Sequence, residues 1–343
     1  MIFFDVTKAG TAGHRSGLMR VSARLAHGLG SAATEVRWPA WKRSLRSGDW
    51  FLTGELFSEE ERPGFSDFLA AHPCRLAAIF HDAIPLKHPH ITWPQSVARH
   101  PGYIKLLARF DRVWAVSEAS RRDLLEFWRW QGVAETPPVE LLTLGADFDS
   151  TTRVTQRRLA SAPGARGQSL LSVGILEPRK NQALLLDVCE DLWREGLDFE
   201  LNVVGRVNPH FGQPLVARIK SLRQEFPGLI YHEAATDGVV AGLYAAATAS
   251  VLPTIAEGCG LPLLESLWLG VPCVCSDLPV LRENADGGGC LPVAVNDRAA
   301  WKAALRRVLT DAALQTKLSS EAMTRPLPTW LEAAQSILRA LPG

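Results

Sequence analysis

The feature that most constrains this chain is an alternation repeated along nearly its whole length. Short runs that are apolar on both faces are each followed by a segment whose apolar residues recur at helical spacing. The strand candidates are IFFDV at the start, RLAAIF (75–80), RVWAVS (112–117), VELLTLG (139–145), LLSVGIL (170–176), FELNVVG (199–205), ASVLPT (249–254) and VPCVCS (271–276). A strand that is hydrophobic on both sides must be covered on both, as in a parallel sheet sandwiched by helices. The segment after the first run, LMRVSARLAHGLG, has helical spacing and stops at a glycine. The expected fold class is α/β, doubly wound.

At 343 residues the chain is long enough for about two domains. Between Gly145 and Gln168 it reads GADFDSTTRVTQRRLASAPGARGQ, poor in large apolar residues, which makes this stretch the expected boundary. Residues 1–150 and 168–320 then form two Rossmann-like halves facing a central cleft. The tail, residues 321–343 with PLPTWLEAAQSILRAL, reads as a final helix after two prolines, and it need not pack on its nearest half.

Lys and Arg number 37 against 36 Asp and Glu, and 47% of residues are hydrophobic. That balance argues against wholesale disorder and against a polyanion-coating protein, so no nucleic acid partner is expected. The start MIFFDVTKAG lacks the layout of a secretory signal, and the longest apolar stretch, Leu261 to Cys275, contains Glu265 and falls short of the ~18 residues a membrane span needs. The cysteines at 74, 189, 259, 273, 275 and 290 include no C-x-x-C pair, and free thiols in a reducing cytoplasm are the simplest account.

The segment from Thr254 to Asn284, TIAEGCGLPLLESLWLGVPCVCSDLPVLREN, carries the most chemistry. Glu257 lies in a glycine loop after a strand, a helix is expected to begin near Leu261 and Pro262, and Glu265 follows eight positions after Glu257. Gly258 and Gly260 let backbone amides approach a ligand, and a helix N-terminus offers unpaired N–H groups to a phosphate. Carboxylates accept hydrogen bonds from sugar hydroxyls. On spacing alone, a solvated loop acid and a helix acid explain the same residues.

The run E-G-x-G-L-P-x-x-E-S, followed by G-V-P-x-V-x-S and R-E-N, resembles the signature of retaining glycosyltransferases of family 4, which have the GT-B fold. Cys259 stands where phenylalanine is usual. The resemblance implies that Glu257 contacts the transferred sugar and Glu265 the nucleotide ribose. A second match, SVGILEPRKNQ (172–182), sets Arg179 and Lys180 after Gly174, in the P-R-K-N form of a branch associated with bacterial polysaccharide assembly. Guanidinium and ammonium charge suit the anionic oxygens of a diphosphate leaving group, and a solvated basic turn is the other reading. Many relatives place an arginine directly after the strand glycine, where this chain has Ile175, which leaves open whether Arg179 substitutes for it.

In the first half, His81-Asp82 before Pro85 is similar to the family's H-D-x-x-P loop, whose histidine faces the donor sugar. The loop AGTAGHRSGLMRV, with Gly10, Gly13, Arg15, Gly17 and Arg20, is similar to an S-G-[IL]-x-R-V loop expected near donor phosphates and acceptor; Arg20 snorkelling from a helix is the other reading. Gly205-Arg206 and the loop from Glu233 to Gly238 fall where the family binds diphosphate and base, and the resemblance implies that the tryptophan-bearing last helix, within residues 321–343, crosses back to the first domain. Ser117 and Ser120 match a strand-to-helix turn, with Ser120 a cap or a ligand. His88 and His90 could chelate a metal but have no nearby cysteine or second ligand cluster in the sequence, Asp147-Phe148-Asp149 is formally a D-x-D whose place at the domain boundary favours a linker role, and WPAWKRSLRSGDWF (38–51) fits either a membrane-surface element or a loop with partly buried aromatics.

The resemblance implies transfer of a hexose from a nucleotide-sugar, GDP-mannose first and a UDP-hexose second, onto a glycan or polyprenyl-linked acceptor of a bacterial surface polysaccharide such as lipopolysaccharide or capsule. It implies front-face displacement, with the leaving diphosphate helping to deprotonate the acceptor, no required cofactor or metal, and a cytoplasmic enzyme with possible peripheral association at the inner face of the membrane. A GT-B sugar-nucleotide hydrolase or epimerase, and a non-catalytic nucleotide- or glycan-binding partner in a synthase complex, are the alternatives.

Overall fold

A computed structural model describes residues 1–10, 17–40, 45–148, 151–156 and 167–341. The chain divides into two compact units, Met1–Gly145 with Pro328–Gly343, and Ala146–Leu327. Unit 1 holds β1 (Ile2–Asp5), β2 (Ala33–Val36), β3 (Trp50–Thr53), β4 (Arg75–Phe80), β5 (Arg112–Ala115) and β6 (Val139–Leu141), in the order β2-β1-β3-β4-β5-β6. Unit 2 holds β7 (Ser169–Val173), β8 (Glu200–Val204), β9 (Leu229–His232), β10 (Ala249–Leu252), β11 (Cys273–Ser276) and β12 (Cys290–Val293), in the order β12-β11-β10-β7-β8-β9. Every pairing is parallel, with helices between successive strands in most of the connections. This is the doubly wound GT-B arrangement, as expected.

The double-sided hydrophobicity has its predicted cause. Phe51, Leu52, Leu76, Ala77, Ile79 and Phe80 in unit 1, and Leu170, Leu171, Leu201, Val203, Val251 and Val274 in unit 2, are all buried although neighbours along a strand face opposite ways. Most strands are shorter than the runs that announced them. β5 stops at Ala115 because Ser117 is already the N-cap of the helix Glu118–Trp130, and β7 stops at Val173 before a glycine turn. β2, β9 and β12 escaped sequence reading because they lie at or near sheet edges, where only part of each strand is buried.

β3 escaped it for another reason, since WFLT sits at the end of the basic, tryptophan-rich segment 38–51. Trp50 and Phe51 are core residues, and Trp38 meets Phe65 and Phe68 edge-on at 5.0 and 5.4 Å. The described aromatics of that segment therefore pack inward, which corrects the membrane-surface reading for them; residues 41–44 lie outside the described residues.

The units meet in sequence at Gly145/Ala146 and Leu327/Pro328, a few residues from the boundaries read at 150 and 320. Residues 321–324 still complete the helix Ala312–Thr324 of unit 2. Pro326 and Pro328 then interrupt the helical run, and the helix Trp330–Ala340 starts from a capping box in which Thr329 and Glu332 satisfy each other's backbone. It packs in unit 1 against the helix Gly17–Leu29, where a side chain at Gly28 would collide with Ala334.

Each sheet reverses its winding once. In unit 1 the chain leaves β1 toward β2 on one side and β3 on the other; in unit 2 it leaves β7 toward β8 on one side and β10 on the other. The carboxyl ends of strands flanking such a reversal splay their loops apart, and in open α/β sheets that crevice is where ligands bind.

Candidate functional site

The two motif segments of unit 2 emerge side by side at its reversal, one after β7 and one after β10. After β7 the chain runs through Gly174 beside the segment after β8, with Gly174 N–H donating to Val204 O at 2.9 Å and Leu176 N–H to Arg206 O at 2.9 Å. A side chain at Gly205 would land on the carbonyl of Gly174, so only glycine allows this approach. The turn Pro178–Lys180 follows, then Asn181 in the left-handed region and the helix Gln182–Arg194.

That turn is laced to the segment after β10. The carbonyl of Arg179 accepts from Ile255 N at 2.8 Å and from Thr254 Oγ1 at 3.0 Å. Lys180 Nζ lies 2.5 Å from Glu257 Oε1, and Arg179 Nη1 lies 3.0 Å from Ala256 O and 3.3 Å from Glu257 Oε2. Glu257 and Lys180 have side chains only 7% and 11% exposed, so their charges interact with little screening by water. Burial pushes the Glu257 carboxyl up, but Lys180 and then Arg179 outweigh it and hold the group below the ordinary carboxylate range. Burial pushes Lys180 down from the ordinary lysine value, Glu257 raises it again and Arg179 lowers it.

Beyond Glu257, Gly260 adopts φ +81° and abuts Leu281, which turns the chain into the helix Leu261–Trp268. Pro262 stands in the first turn of this helix, as its fixed φ favours. Glu265 is buried a little over one turn in. The loop is braced by Asn284 of the R-E-N run, whose Nδ2 donates to Cys259 O at 2.8 Å, while Arg282 pairs with Asp277. Burial raises the Cys259 thiol to about 12. Gly205 is held by His232 O and by Tyr231 Oη, and Arg206 points outward. Thr236 caps the helix Asp237–Ala246 through Val239 N.

Gly17, Arg20 and His81 belong to unit 1 and are described in its own frame. His81 is buried, and its Nε2 donates to Gly54 O at 2.8 Å, which fixes the neutral tautomer with Nδ1 as acceptor. Burial lowers its pKa, with the Gly54 bond and Asp82 acting the other way. Ser120 Oγ donates to His81 O at 2.8 Å, and it is Ser117 that caps the following helix; the reading of Ser120 as the cap is corrected. Gly17 opens the helix Gly17–Leu29, with Arg20 one turn in. Gly13 and Arg15 of that loop lie outside the described residues. So does Asp149 of the D-x-D, whose Phe148 is a core residue beside Tyr244. Among the described residues no cluster of His, Cys, Asp and Glu is arranged to hold a metal, and no helix is long and apolar enough to cross a membrane.

Sequence reasoning missed the groups at the unit 1 reversal. Asp5 at the end of β1 and Glu55 after β3 are buried and share Arg62, which pairs with them at 2.6 and 2.7 Å. Glu55 accepts from Lys8 N and Ala9 N at 2.8 Å, and Asp5 accepts from Thr7 N at 3.1 Å. The three residues that leave β1 are thus pinned by two carboxylates held by one guanidinium. The available signal was an acid ending an otherwise apolar run.

Residues 167–311 match the family described as Glycosyl transferases group 1. Unit 2 carries a group 1 glycosyl transferase domain. The chain is 30% identical over 243 residues to a serotype-specific mannosyltransferase, WbdA, of Escherichia coli; the match covers 68% of this chain and 29% of that protein. It is 38% identical over 72 residues, a fifth of each chain, to the O-antigen chain mannosyltransferase RfbU of Salmonella typhimurium. The chain thus spans under a third of the length of the curated relatives first matched. Among solved structures, Anabaena HepE in complex with UDP-glucose superposes with a TM-score of 0.74 at 14% identity, covering 99% of this chain and 98% of that one. The chain therefore has a glycosyltransferase fold and resembles polysaccharide mannosyltransferases.

Proposed function

We propose that this protein is a nucleotide-sugar-dependent, retaining glycosyltransferase that adds a hexose to a glycan or lipid-linked acceptor in bacterial surface polysaccharide synthesis. The observation that carries the reading is the Glu257 carboxylate, kept ionised by Lys180 and Arg179 at the sheet reversal of the group 1 domain. An ionised acceptor beside two cations is suited to a neutral, hydroxyl-rich group joined to an anionic leaving group. Mannose from GDP-mannose is the leading donor because the relatives it resembles are mannosyltransferases. UDP-hexoses come second, favoured by the UDP-glucose complex of HepE.

In this reading Glu257 holds the sugar and Glu265 the ribose. Lys180 and the amides of Gly258, Gly260 and Leu261 at the helix start stabilise charge developing on the diphosphate, with Gly174, Gly205 and Arg206 lining its approach. The departing diphosphate takes the acceptor's proton as the new bond forms on the face it leaves, so no covalent enzyme intermediate arises. His81, Gly17 and Arg20 are the proposed contribution of unit 1 to substrate recognition.

The test is a thermal-shift panel of GDP, UDP, ADP, dTDP and CMP, with and without magnesium, on wild type and Glu265→Ala. A shift selective for one base that the variant loses is expected, followed by sugar transfer from the matching donor. Absence of a shift with every nucleotide would overturn the transferase reading.

A further inference from the structure

We propose that Glu177 is a positioning residue for the sugar-binding carboxylate, acting through Arg179, and that the Arg179 guanidinium orients Glu257 instead of binding the donor diphosphate. This rests on the transferase reading above. The basic pair looks like two equivalent phosphate ligands in sequence, but the two side chains are placed very differently.

Every nitrogen of Arg179 is engaged by protein. Nε and Nη2 meet Glu177 Oε1 at 3.0 and 2.7 Å, while Nη1 meets Ala256 O and Glu257 Oε2 at 3.0 and 3.3 Å. The other oxygen of Glu177 accepts from Asn208 Nδ2 at 3.2 Å. Asn208 is buried, and its Oδ1 is held by the backbone N–H groups of His210 and Phe211 at 2.9 and 3.2 Å. A fixed chain thus runs from the loop after β8 through Asn208, Glu177 and Arg179 to Glu257. A guanidinium held on both edges keeps its plane, and with it the carboxylate oxygen it faces.

For a diphosphate to take Arg179, the arginine would have to leave a carboxylate that it meets through two nitrogens and a backbone carbonyl. Lys180 has no such restraint. Its ammonium carries three donors, and of these the contact with Glu257 uses one. Its stem lies against Gly174, where any added side chain would touch it. The chain therefore divides the labour of its basic pair. Lys180 meets the leaving group, Arg179 fixes the acid, and Glu177 fixes Arg179.

Calorimetric binding of GDP, UDP, GDP-mannose and UDP-glucose, with transfer rates, on wild type, Glu177→Ala, Arg179→Ala and the double variant separates the possibilities. Both single variants are expected to hold nucleoside diphosphate affinity within about twofold while losing about tenfold or more in turnover or nucleotide-sugar affinity. The double variant should be no worse than Arg179→Ala, because Glu177 acts only through the arginine. A merely structural role would instead lower nucleoside diphosphate affinity and turnover together. Glu177→Gln, which keeps the shape and one acceptor, serves if the alanine variant does not fold. The proposal fails if Arg179→Ala weakens nucleoside diphosphate binding about tenfold, if Glu177→Ala matches wild type, or if the two losses add. Wild type that binds none of the four overturns the transferase reading itself.

Discussion

Glu257 illustrates how a buried carboxylate is kept charged. Burial acts to neutralise it, and the cations Lys180 and Arg179 prevail. Because its folded pKa lies below the unfolded value, the group contributes stability that is present above about pH 4.5 and lost as pH falls through the folded pKa. Replacing Lys180 by methionine removes the nearer cation from a nearly buried pair. We expect a loss of about 3 kcal/mol at neutral pH, shrinking toward acid as Glu257 is protonated in both proteins. Urea unfolding of wild type and variant across this range measures it, and a difference independent of pH would refute the account. Glu257, Lys180 and Arg179 were legible in sequence because each lies in a short motif. Asp5, Glu55 and Arg62 were not, because their association exists only once β1 and β3 pair. Glu55 also has the opposite sense: burial and then Asp5 raise its pKa, against the pull of the Ala9 and Lys8 amides and Arg62.

At the scale of elements, the strand runs in the interior of each sheet were readable apart from β3, and their ends were not. A run such as LLSVGIL is apolar beyond Val173, yet Gly174 and Gly205 take the chain out of the sheet there. What ends these strands is the close passage of two backbones, which hydrophobicity does not encode. The consequence is testable at Gly205, where an added methyl group meets the carbonyl of Gly174 and has no flexible side chain to displace. Gly205→Ala is expected to cost about 1–3 kcal/mol by overpacking. It should also displace the turn that carries Arg179 and Lys180. Denaturation gives the first effect and weakened nucleotide binding the second; a variant with wild-type stability and binding would mean that the two segments part without penalty.

At the scale of the whole molecule, each unit has its own two-sided sheet, but only unit 2 is continuous in sequence. Unit 1 is completed by the helix Trp330–Ala340, whose Trp330, Ala333, Ala334 and Ile337 are buried. The spacing announced this helix and only the family resemblance pointed to unit 1 as its partner, because amphipathicity tells which face is covered and not by what. Gly28 and Gly145 record the answer, since a side chain at either would strike the tail at Ala334 or Trp330. Deleting residues 328–343 should therefore act on unit 1 alone. Exposing the surfaces covered by Trp330 and Ile337 removes about 1.5–3 kcal/mol for each, a large part of the marginal stability of a domain. In hydrogen exchange we expect the amides of β1 and of the helix Gly17–Leu29 to lose protection while those of β7, β8 and β10 keep theirs. Equal loss in both sheets would mean that the two units unfold as one, and unchanged protection in β1 would mean that the tail is an ornament and not a part of the core it caps.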